Sequence, residues 1–299
     1  MFICDKDIRV QGRLVKVAYV DGDKFTLPGP PQTLIEGIKK SSLRADLFTF
    51  LQSVPHTEPM YGYDWEFDNL AVLPITTFEH WWNHQIKSPA RNRARQAEKK
   101  GAVIREIPFD DELLAGIVDI HNETPIRQGR RFPHYGMDHE GARKYAGTFL
   151  DRSIFIGAFF EGRLIGFLKL VMDEARTYAC AINILSMIQH REKAPTNAMI
   201  AQAVRVCAER GLRHLVYENF VYGNKGADSL TNFKETNGFI RMDLPRYYVP
   251  LTPLGRLALR YRLHRRLVEY VPEPLMIRFR ALRSTWHQRR LAAAGGSSE

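Results

Sequence analysis

The order in which strands and helices are predicted between residues 102 and 249 constrains the fold of this 299-residue chain more than any other feature. Apolar patterning and turn residues predict a strand, two helices, three strands, a helix, a strand, a helix and one or two final strands. The later helices are predicted to end at Gly211 and Gly238, and a turn at Glu161-Gly162 separates two of the strands. This order predicts an α/β (α+β) domain of about 150 residues, with one mixed sheet flanked by helices.

Composition excludes several classes of protein. The hydrophobic fraction of 44% and the charged fraction of 25% are those of a globular chain. The longest uncharged run, 177–189, has 13 residues and is too short to cross a bilayer. The first residues carry two acids and lack the pattern of a signal peptide. The three cysteines are too few and too scattered for a disulfide framework or a zinc site, so the sequence predicts a cytoplasmic protein without a metal.

A short helix near the end of the predicted domain carries the strongest local signal. The segment 227–239 reads ADSLTNFKETNGF, with Phe233 and Lys234 ahead of Gly238. The order of elements resembles the GNAT acyltransferase fold, whose central sheet opens between its fourth and fifth strands. The Phe-Lys pair four residues before the glycine resembles the FemAB-like aminoacyltransferases, which build peptidoglycan cross-bridges. The resemblance implies that Lys234 places a positive charge near a developing oxyanion; the alternative is a solvated helix residue.

The turn before the predicted helix 194–210 resembles the place where GNAT enzymes bind the phosphates of their donor. In enzymes that use CoA this turn is rich in glycine, whereas here it is basic and contains Pro195. A helix start with basic residues can receive a phosphate or a carboxylate. The expected donor-binding residues are His190, Arg191, Lys193, Thr196 and Asn197.

The basic helix predicted over 88–100 contains a second candidate for anion binding. Its sequence from 91 to 104 is similar to a FemAB-like segment with regularly spaced basic residues. Arg91 and Arg95 are one helical turn apart and are expected to form an anion clamp. The alternative is a solvated basic face.

The loop 121–136 lies where acyltransferases of this fold bind the acceptor. It is dense in charged and aromatic groups, which is unusual for a loop that is only structural. Glu123 or His134 is expected to take the proton of the acceptor amine. The expected acceptor-binding residues are Arg127, Arg131, His134 and Tyr135.

Two further residues near the predicted sheet are candidates on chemical grounds. Tyr222 follows the strand 213–220 and is expected to reach the opening of the sheet as a catalytic residue. Lys169 interrupts an apolar strand, so it either finds a partner in the interior or points to solvent. His121 is expected to be a packing residue.

The chain divides into three predicted regions. Residues 1–100 form an irregular α+β region, either a degenerate second GNAT-like half or a family-specific cap; residues 101–252 form the acyltransferase domain. Residues 253–299 form a basic helical tail, with a helix predicted over 254–270 and a second that begins after Pro274. Ten arginines and three glutamates give the tail +7 of the net +10. Such a tail suits an anionic membrane surface, contacted through 253–291, or RNA. The alternative is that both tail helices pack on the domain and leave their arginines in solvent.

Together these features predict an N-acyltransferase that acts on an amine, with a role in cell-envelope or polysaccharide biosynthesis. No cofactor is expected to be bound permanently. The donor is a cosubstrate carried by CoA, by an acyl carrier protein or by tRNA. The protein is expected in the cytoplasm, with a peripheral position at the inner membrane face as an open alternative. The competing hypothesis is a non-catalytic GNAT-like module that binds RNA or an anionic membrane surface.

Overall fold

A computed structural model describes residues 1–26, 29–127, 130–222 and 229–265. In this part of the chain the strands are β1 (Phe2–Ile3), β2 (Lys6–Gln11), β3 (Val17–Val20), β4 (Leu47–Leu51), β5 (Asp64–Pro74), β6 (Val103–Ile107), β7 (Ile126–Arg127), β8 (Arg130–Arg131), β9 (Ser153–Phe160), β10 (Arg163–Met172), β11 (Tyr178–Ser186), β12 (His214–Asn219) and β13 (Ile240–Pro250). The α-helices are α1 (Pro31–Lys40), α2 (Phe78–His80), α3 (Ser88–Lys99), α4 (Asp111–Asn122), α5 (His139–Ala146), α6 (Pro195–Glu209), α7 (Ser229–Thr236) and α8 (Pro253–Arg260). A π-helical turn at Trp81–Gln85 continues α2, and 3-10 turns lie at Leu150–Arg152 and Ile188–Lys193.

The predicted order of elements after residue 102 is confirmed. The strand, two helices, three strands, helix, strand and helix appear as β6, α4, α5, β9 to β11, α6, β12 and α7. A single long strand, β13, completes the series. Gly211 and Gly238 follow α6 and α7 with φ values of +70° and +90°, as expected for glycines that end helices.

One large mixed sheet contains eleven of the strands, in the order β1-β2-β3-β4-β13-β5-β12-β11-β10-β9-β6. Adjacent strands are antiparallel except for β3 with β4 and β11 with β12, which are parallel. Helices α4 and α6 pack against the half of the sheet that contains β9, β10 and β11. Their apolar sides share one hydrophobic core with these strands. This arrangement confirms the predicted mixed sheet flanked by helices.

The sheet crosses the predicted boundary at residue 100. Strand β5 from the first hundred residues lies between β12 and β13, antiparallel to both. Its pairing with β13 runs from Val72 opposite Ile240 to Asp64 opposite Tyr248. The N-terminal region therefore supplies a strand to the interior of the sheet, in addition to β1 to β4 beyond β13.

Two predicted helices differ from the structure. The sequence of residues 32–53 predicts one or two helices, but this region contains α1 and then the strand β4. All five residues of β4 are buried, so its sequence LFTFL shows no alternation that would reveal a strand. The helix expected over 254–270 ends at Arg260, and Arg262 has a left-handed φ of +56°. Residues 266–299, with the second predicted tail helix, lie outside the described residues.

None of the described helices is long and apolar enough to span a membrane.

Lys169 of β10 is fully buried, so of its two expected placements the interior one with a partner is confirmed and the solvent-facing one is wrong. Its Nζ donates to the carbonyl oxygen of Ala146 at 2.7 Å, to the hydroxyl of Thr148 at 3.1 Å and to the carbonyl of Thr148. The ammonium thus lies at the C-terminal end of α5, where helix carbonyls carry partial negative charge. Burial lowers the pKa of Lys169 to about 8.

This depressed pKa predicts a pH-dependent stability. From pH 8 up to the ordinary lysine value of 10.5, the unfolded chain keeps a proton that the folded chain has lost. The contribution of Lys169 to the free energy of unfolding of the wild type should therefore rise with pH. Compared with that of Lys169→Met, the wild-type free energy of unfolding should gain roughly 1 kcal/mol per pH unit in this range. Urea unfolding at about pH 7.5, 8.5 and 9.5 measures this difference. Lys40→Met, at an exposed lysine, is the control; a difference between wild type and Lys169→Met that stays constant with pH would contradict the prediction.

Candidate active site

The strands β11 and β12 enclose a cleft because they separate after a short pairing. Their parallel ladder contains only Tyr178 to Cys180 opposite His214 to Val216. Beyond it, β11 continues to Ser186 and β12 to Asn219 without mutual pairing. A cavity of about 680 Å³ lies at this opening, walled by the end of β11, the starts of α3 and α6, Tyr217 of β12, and α7. The sheet therefore opens between the fourth and fifth strands of the predicted domain, as the GNAT resemblance implied.

The cavity wall is cationic. Arg93, Arg127 and Arg191 line it, and no aspartate or glutamate is among its lining residues in the described part of the chain. The N-terminus of α6 also opens into it through Thr196 and Asn197, and no side chain caps this helix. Helix N-termini and arginines both favour an anion. The cavity is thus suited to a phosphate or carboxylate group.

Arg127 connects the cavity to the helix α4. Its Nη1 donates to the carbonyl oxygen of Ser186 at 2.9 Å, and its Nη2 donates to Ile120 O at 2.7 Å and Glu123 Oε2 at 3.0 Å. Burial lowers the pKa of Arg127, and the nearby carboxylate of Glu123 opposes that shift. The guanidinium fixes the end of β11 and at the same time lines the cavity, as one of the predicted acceptor-binding residues.

Glu123 holds the turn that leads to α6. Besides Arg127, its carboxylate accepts from the amides of Ile188 at 2.7 Å and Gln189 at 2.8 Å. Both oxygens are therefore engaged at the start of the 3-10 turn Ile188–Lys193, where an anion is favourable. This geometry makes Glu123 a positioning residue. That it takes the amine proton stays a prediction.

The five expected donor-binding residues separate into two groups. Arg191, Thr196 and Asn197 line the cavity. The hydroxyl of Thr196 lies 3.1 Å from that of Ser186. His190 and Lys193 instead contact the ring of Phe160, with Lys193 Nζ 4.0 Å from its centroid, and neither lines the cavity.

The expected anion clamp is not at the cavity. Arg91 donates to the carbonyl oxygens of Ile86 at 2.9 Å and Asn83 at 3.3 Å, and Arg95 lies over the ring of Trp82. Arg93 lines the cavity in their place. On a helix, positions two apart point about 200° away from each other, so the row of Arg91 and Arg95 faces elsewhere.

The other three expected acceptor-binding residues also lie away from the cavity lining. Arg131 is exposed in the small hairpin of β7 and β8. The ring of His134 packs near His121 and Tyr145, and Tyr135 is exposed. His121 itself is fully buried, as expected of a packing residue.

Lys234 lies behind the cavity wall. It is fully buried, and its Nζ donates to the carbonyl oxygens of Asn219 and Phe220 at the end of β12. The ammonium is 5.3 Å from the ring centroid of Tyr217, which lines the cavity, and 4.5 Å from that of Tyr222. Neither Lys234 nor Tyr222 is among the lining residues. Residues 223–228, which include the predicted turn glycines, lie outside the described residues.

A half-buried polar network holds the β12 side of the opening. It consists of Asp23, Lys24, Asp68, Glu218, Asn219 and Arg246. Arg246 Nε donates to Asp68 at 3.0 Å and its Nη1 to Asp23 at 2.6 Å, while Lys24 bonds both Glu218 and Asn219. Although burial opposes the charge, the two aspartates raise the pKa of Arg246. Glu218 has a left-handed φ of +46°, so the network stabilises a strained residue next to the cleft.

Sequence reasoning missed six polar residues of the cavity wall: Arg93, Ser186, Tyr217, Ser229, Asn232 and Thr236. Arg93 belongs to the recognised basic segment, and Ser186 ends a strand directly before the recognised basic turn. The position of Tyr217 depends on the separation of β11 and β12, which no local pattern encodes.

Comparison with known proteins supports the fold but not a sequence family. No protein-family model and no curated protein matches the sequence. Among solved structures, FemX aligns with a TM-score of 0.59 at 11% identity, covering 84% of this chain and 86% of that one. L-PGS from Bacillus licheniformis aligns with a TM-score of 0.54 at 14% identity, covering 87% and 86%. The C-terminal domain of a putative lysylphosphatidylglycerol synthetase from Agrobacterium fabrum aligns with a TM-score of 0.53 at 13% identity, covering 85% and 83%. These likenesses confirm the predicted GNAT-like, FemAB-like fold.

The contacts of Glu123 predict what its replacement does. Glu123→Gln loses the charge that pairs with Arg127 and can serve the two amides with only one acceptor oxygen. The free energy of unfolding should fall by about 1–3 kcal/mol. The amides of Ile188 and Gln189 should exchange their hydrogens faster, which exchange measured by NMR detects. Glu112→Gln, at an exposed position of α4, is the matched control; unchanged exchange at these two amides in Glu123→Gln would contradict the positioning role.

Proposed function

We propose that this protein is an acyltransferase that moves an acyl or aminoacyl group from an activated, phosphate-bearing carrier to an amine. The observation that carries the proposal is the cavity at the opening of the sheet, with three arginines, no lining carboxylate among the described residues, and the uncapped start of α6. A GNAT-like sheet places this cleft at the carboxyl end of β12, where ligands of open α/β sheets bind. The fold alone does not assign chemistry, so the proposal is based on the residues that line the cavity.

The same site supports a donor whose phosphate is bound mainly by side chains. Glu123 occupies the amides of Ile188 and Gln189, and Pro195 has no amide. Few backbone donors therefore remain in this turn for the diphosphate of CoA, while Arg93 and Arg191 remain at the cavity. We accordingly place aminoacyl-tRNA and acyl carrier protein ahead of acyl-CoA.

The structural neighbours give fold-level support for an aminoacyl group and an envelope role. Two of them are named for lysylphosphatidylglycerol synthesis, and that product is an aminoacylated lipid. Phosphatidylglycerol is acylated on a hydroxyl, so this analogy supports an aminoacyl donor and an acceptor in the cell envelope. That the acceptor is an amine of a cell-envelope or polysaccharide precursor is our proposal.

In the proposed reaction the acceptor amine attacks the carbonyl carbon of the donor. A carbon–nitrogen bond forms, the bond from the carbonyl carbon to the carrier oxygen or sulfur breaks, and the amine proton ends on the departing carrier atom. The paired hydroxyls of Ser186 and Thr196 and the start of α6 supply hydrogen bonds to the tetrahedral oxyanion. The buried charge of Lys234 adds electrostatic stabilisation from behind Tyr217. Water in the open cleft takes the proton in transit.

A non-catalytic module that binds RNA or an anionic membrane remains the second candidate. It is favoured by the contacts of Lys234, whose ammonium donates to backbone carbonyls, and by the position of Arg131, His134 and Tyr135 away from the cavity. Only the acyltransferase turns over a substrate, so a turnover assay distinguishes the two candidates.

Donor binding should depend on the cavity arginines. Arg93→Gln and Arg191→Gln should each weaken binding of the donor about tenfold, because each removes a charged hydrogen-bond donor. Thermal shift with bulk charged tRNA, deacylated tRNA, acyl-loaded acyl carrier protein, acetyl-CoA and longer acyl-CoAs identifies the donor, with a ligand at 100 Kd adding roughly 2.7 kcal/mol. Arg163→Gln, at the exposed first residue of β10, is the control. Stabilisation by acyl-CoA alone would overturn the preferred donor, and no response to any donor would overturn the proposed function.

Replacement of Lys234 tests the catalytic assignment. Lys234→Met should keep the donor affinity within about twofold and lower kcat roughly hundredfold, because the transition state loses the positive charge behind Tyr217. The variant also loses the hydrogen bonds to Asn219 and Phe220, so it should be less stable. Single-turnover transfer to a panel of amines measures this, at temperatures below the melting point of the variant. Lys144→Met, at an exposed position of α5, is the matched control. Full turnover in Lys234→Met would remove Lys234 from the mechanism.

A further inference from the structure

The helix α8 shows an apolar stripe to solvent. Its inner side is packed closely: Ala258 is fully buried, and a Cβ on Gly255 would lie 1.9 Å from the carbonyl oxygen of Asp46. On the outer side, Leu254, Leu257 and Tyr261 are 44%, 48% and 61% exposed. These positions are spaced by three and four residues and so share one face of the helix.

Cationic side chains flank this stripe. Arg256 and Arg260 are exposed on α8, and Arg262 follows it; no acidic residue occurs in 251–265. Of the nearby carboxylates, Glu66 is already paired with Arg265 at 2.6 Å, and Asp64 lies in the groove beside α8. The surface therefore has a clear excess of positive charge.

Two exposed aromatic rings extend the surface along β5. Trp65 and Phe67 are 40% and 58% exposed and lie edge to face, with ring centroids 4.8 Å apart. Trp65 lines the same groove, of about 480 Å³, as Arg256 and Arg260. Tryptophan beside arginine and leucine is the composition of surfaces that enter the headgroup region of a bilayer.

The geometry points to this surface as a docking site for an anionic lipid bilayer. The basic apolar surface, as we call it, consists of Trp65, Phe67, Leu254, Arg256, Leu257, Arg260 and Tyr261. Anionic headgroups complement the arginines, and the acyl boundary accommodates the leucines. RNA would use the arginines but would leave the leucines in water, since phosphate contacts are polar. A second copy of the chain would bring identical positive charges together in a two-fold interface.

Vesicle binding by the full chain tests the docking site. The protein should partition onto phosphatidylcholine vesicles that contain about 30 mol% phosphatidylglycerol, and only weakly onto pure phosphatidylcholine. Leu254→Glu/Leu257→Glu should lower the partition coefficient about tenfold or more, because it replaces inserted apolar groups with repelled charges. Val103→Glu, at an exposed residue of the opposite edge strand β6, is the matched control and should bind as wild type does.

A fluorescent label identifies the contacting surface directly. It distinguishes membrane binding through α8 from binding through residues 266–299, which contain six further arginines. In a Cys4→Ser chain, Leu257→Cys carrying an environment-sensitive dye should shift to the blue on anionic vesicles, whereas Val103→Cys should not. The intact labelled protein also gives a reading if the double glutamate variant does not fold. This outcome is independent of donor binding, so it can fail while the proposed function stands.

Three results would overturn the docking site. They are absence of binding to anionic vesicles, equal binding to neutral vesicles, and binding without a shift of the dye at 257. Binding to RNA in preference to vesicles, or a dimer that protects the dye at 257, would also contradict it and identify the occupant instead.

Discussion

The parallel pairing of β11 with β12 extends over only three residues on each strand, and the candidate site depends on that shortness. A longer ladder would close the cleft and bury Ser186 and Tyr217 between hydrogen-bonded neighbours. Both strands are still extended where they separate. The end of β11, Tyr217 of β12 and the first turn of α6 therefore line the same cavity. A helix start, two strand ends and three arginines then converge without any long loop.

Each side of the opening is held by charged side chains in addition to the sheet hydrogen bonds of β11 with β10 and of β12 with β5. On the β11 side, Arg127 and Glu123 connect the strand end and the following turn to α4. On the β12 side, the network around Asp68 and Arg246 fixes the strand end, where Lys234 donates to the backbone. These partners are largely shielded from water, so their removal should cost more than the loss of a surface ion pair. Charged residues that do not all line the cleft thus help to position its two sides.

Local patterns predicted the elements whose ends carry clear signals. The helices α6 and α7 end at glycines, and β9 and β10 are apolar runs joined by a tight turn, so their order and the family resemblance could be read from the sequence. The strand β4 was missed because both its faces are buried, which removes the alternation. The prediction of the site failed where it depended on the direction in which a side chain leaves its helix. The basic segment of α3 was recognised, yet Arg93 and not Arg91 faces the cavity. Glu123 looked like a free base in the sequence, since its two amide partners lie 65 and 66 residues away.

The insertion of β5 between β12 and β13 has a consequence for biosynthesis. During translation, β5 leaves the ribosome about 140 residues before β12, the first of its two sheet neighbours, has been made. Its apolar centre, Leu70 to Leu73, is fully buried in the folded protein and has no partner strand on either side until then. The nascent chain must therefore keep an unpaired, aggregation-prone strand in solution, a state that chaperones bind. The cleft itself can form only after nearly the whole sheet has been synthesised, so no shorter nascent fragment can be active.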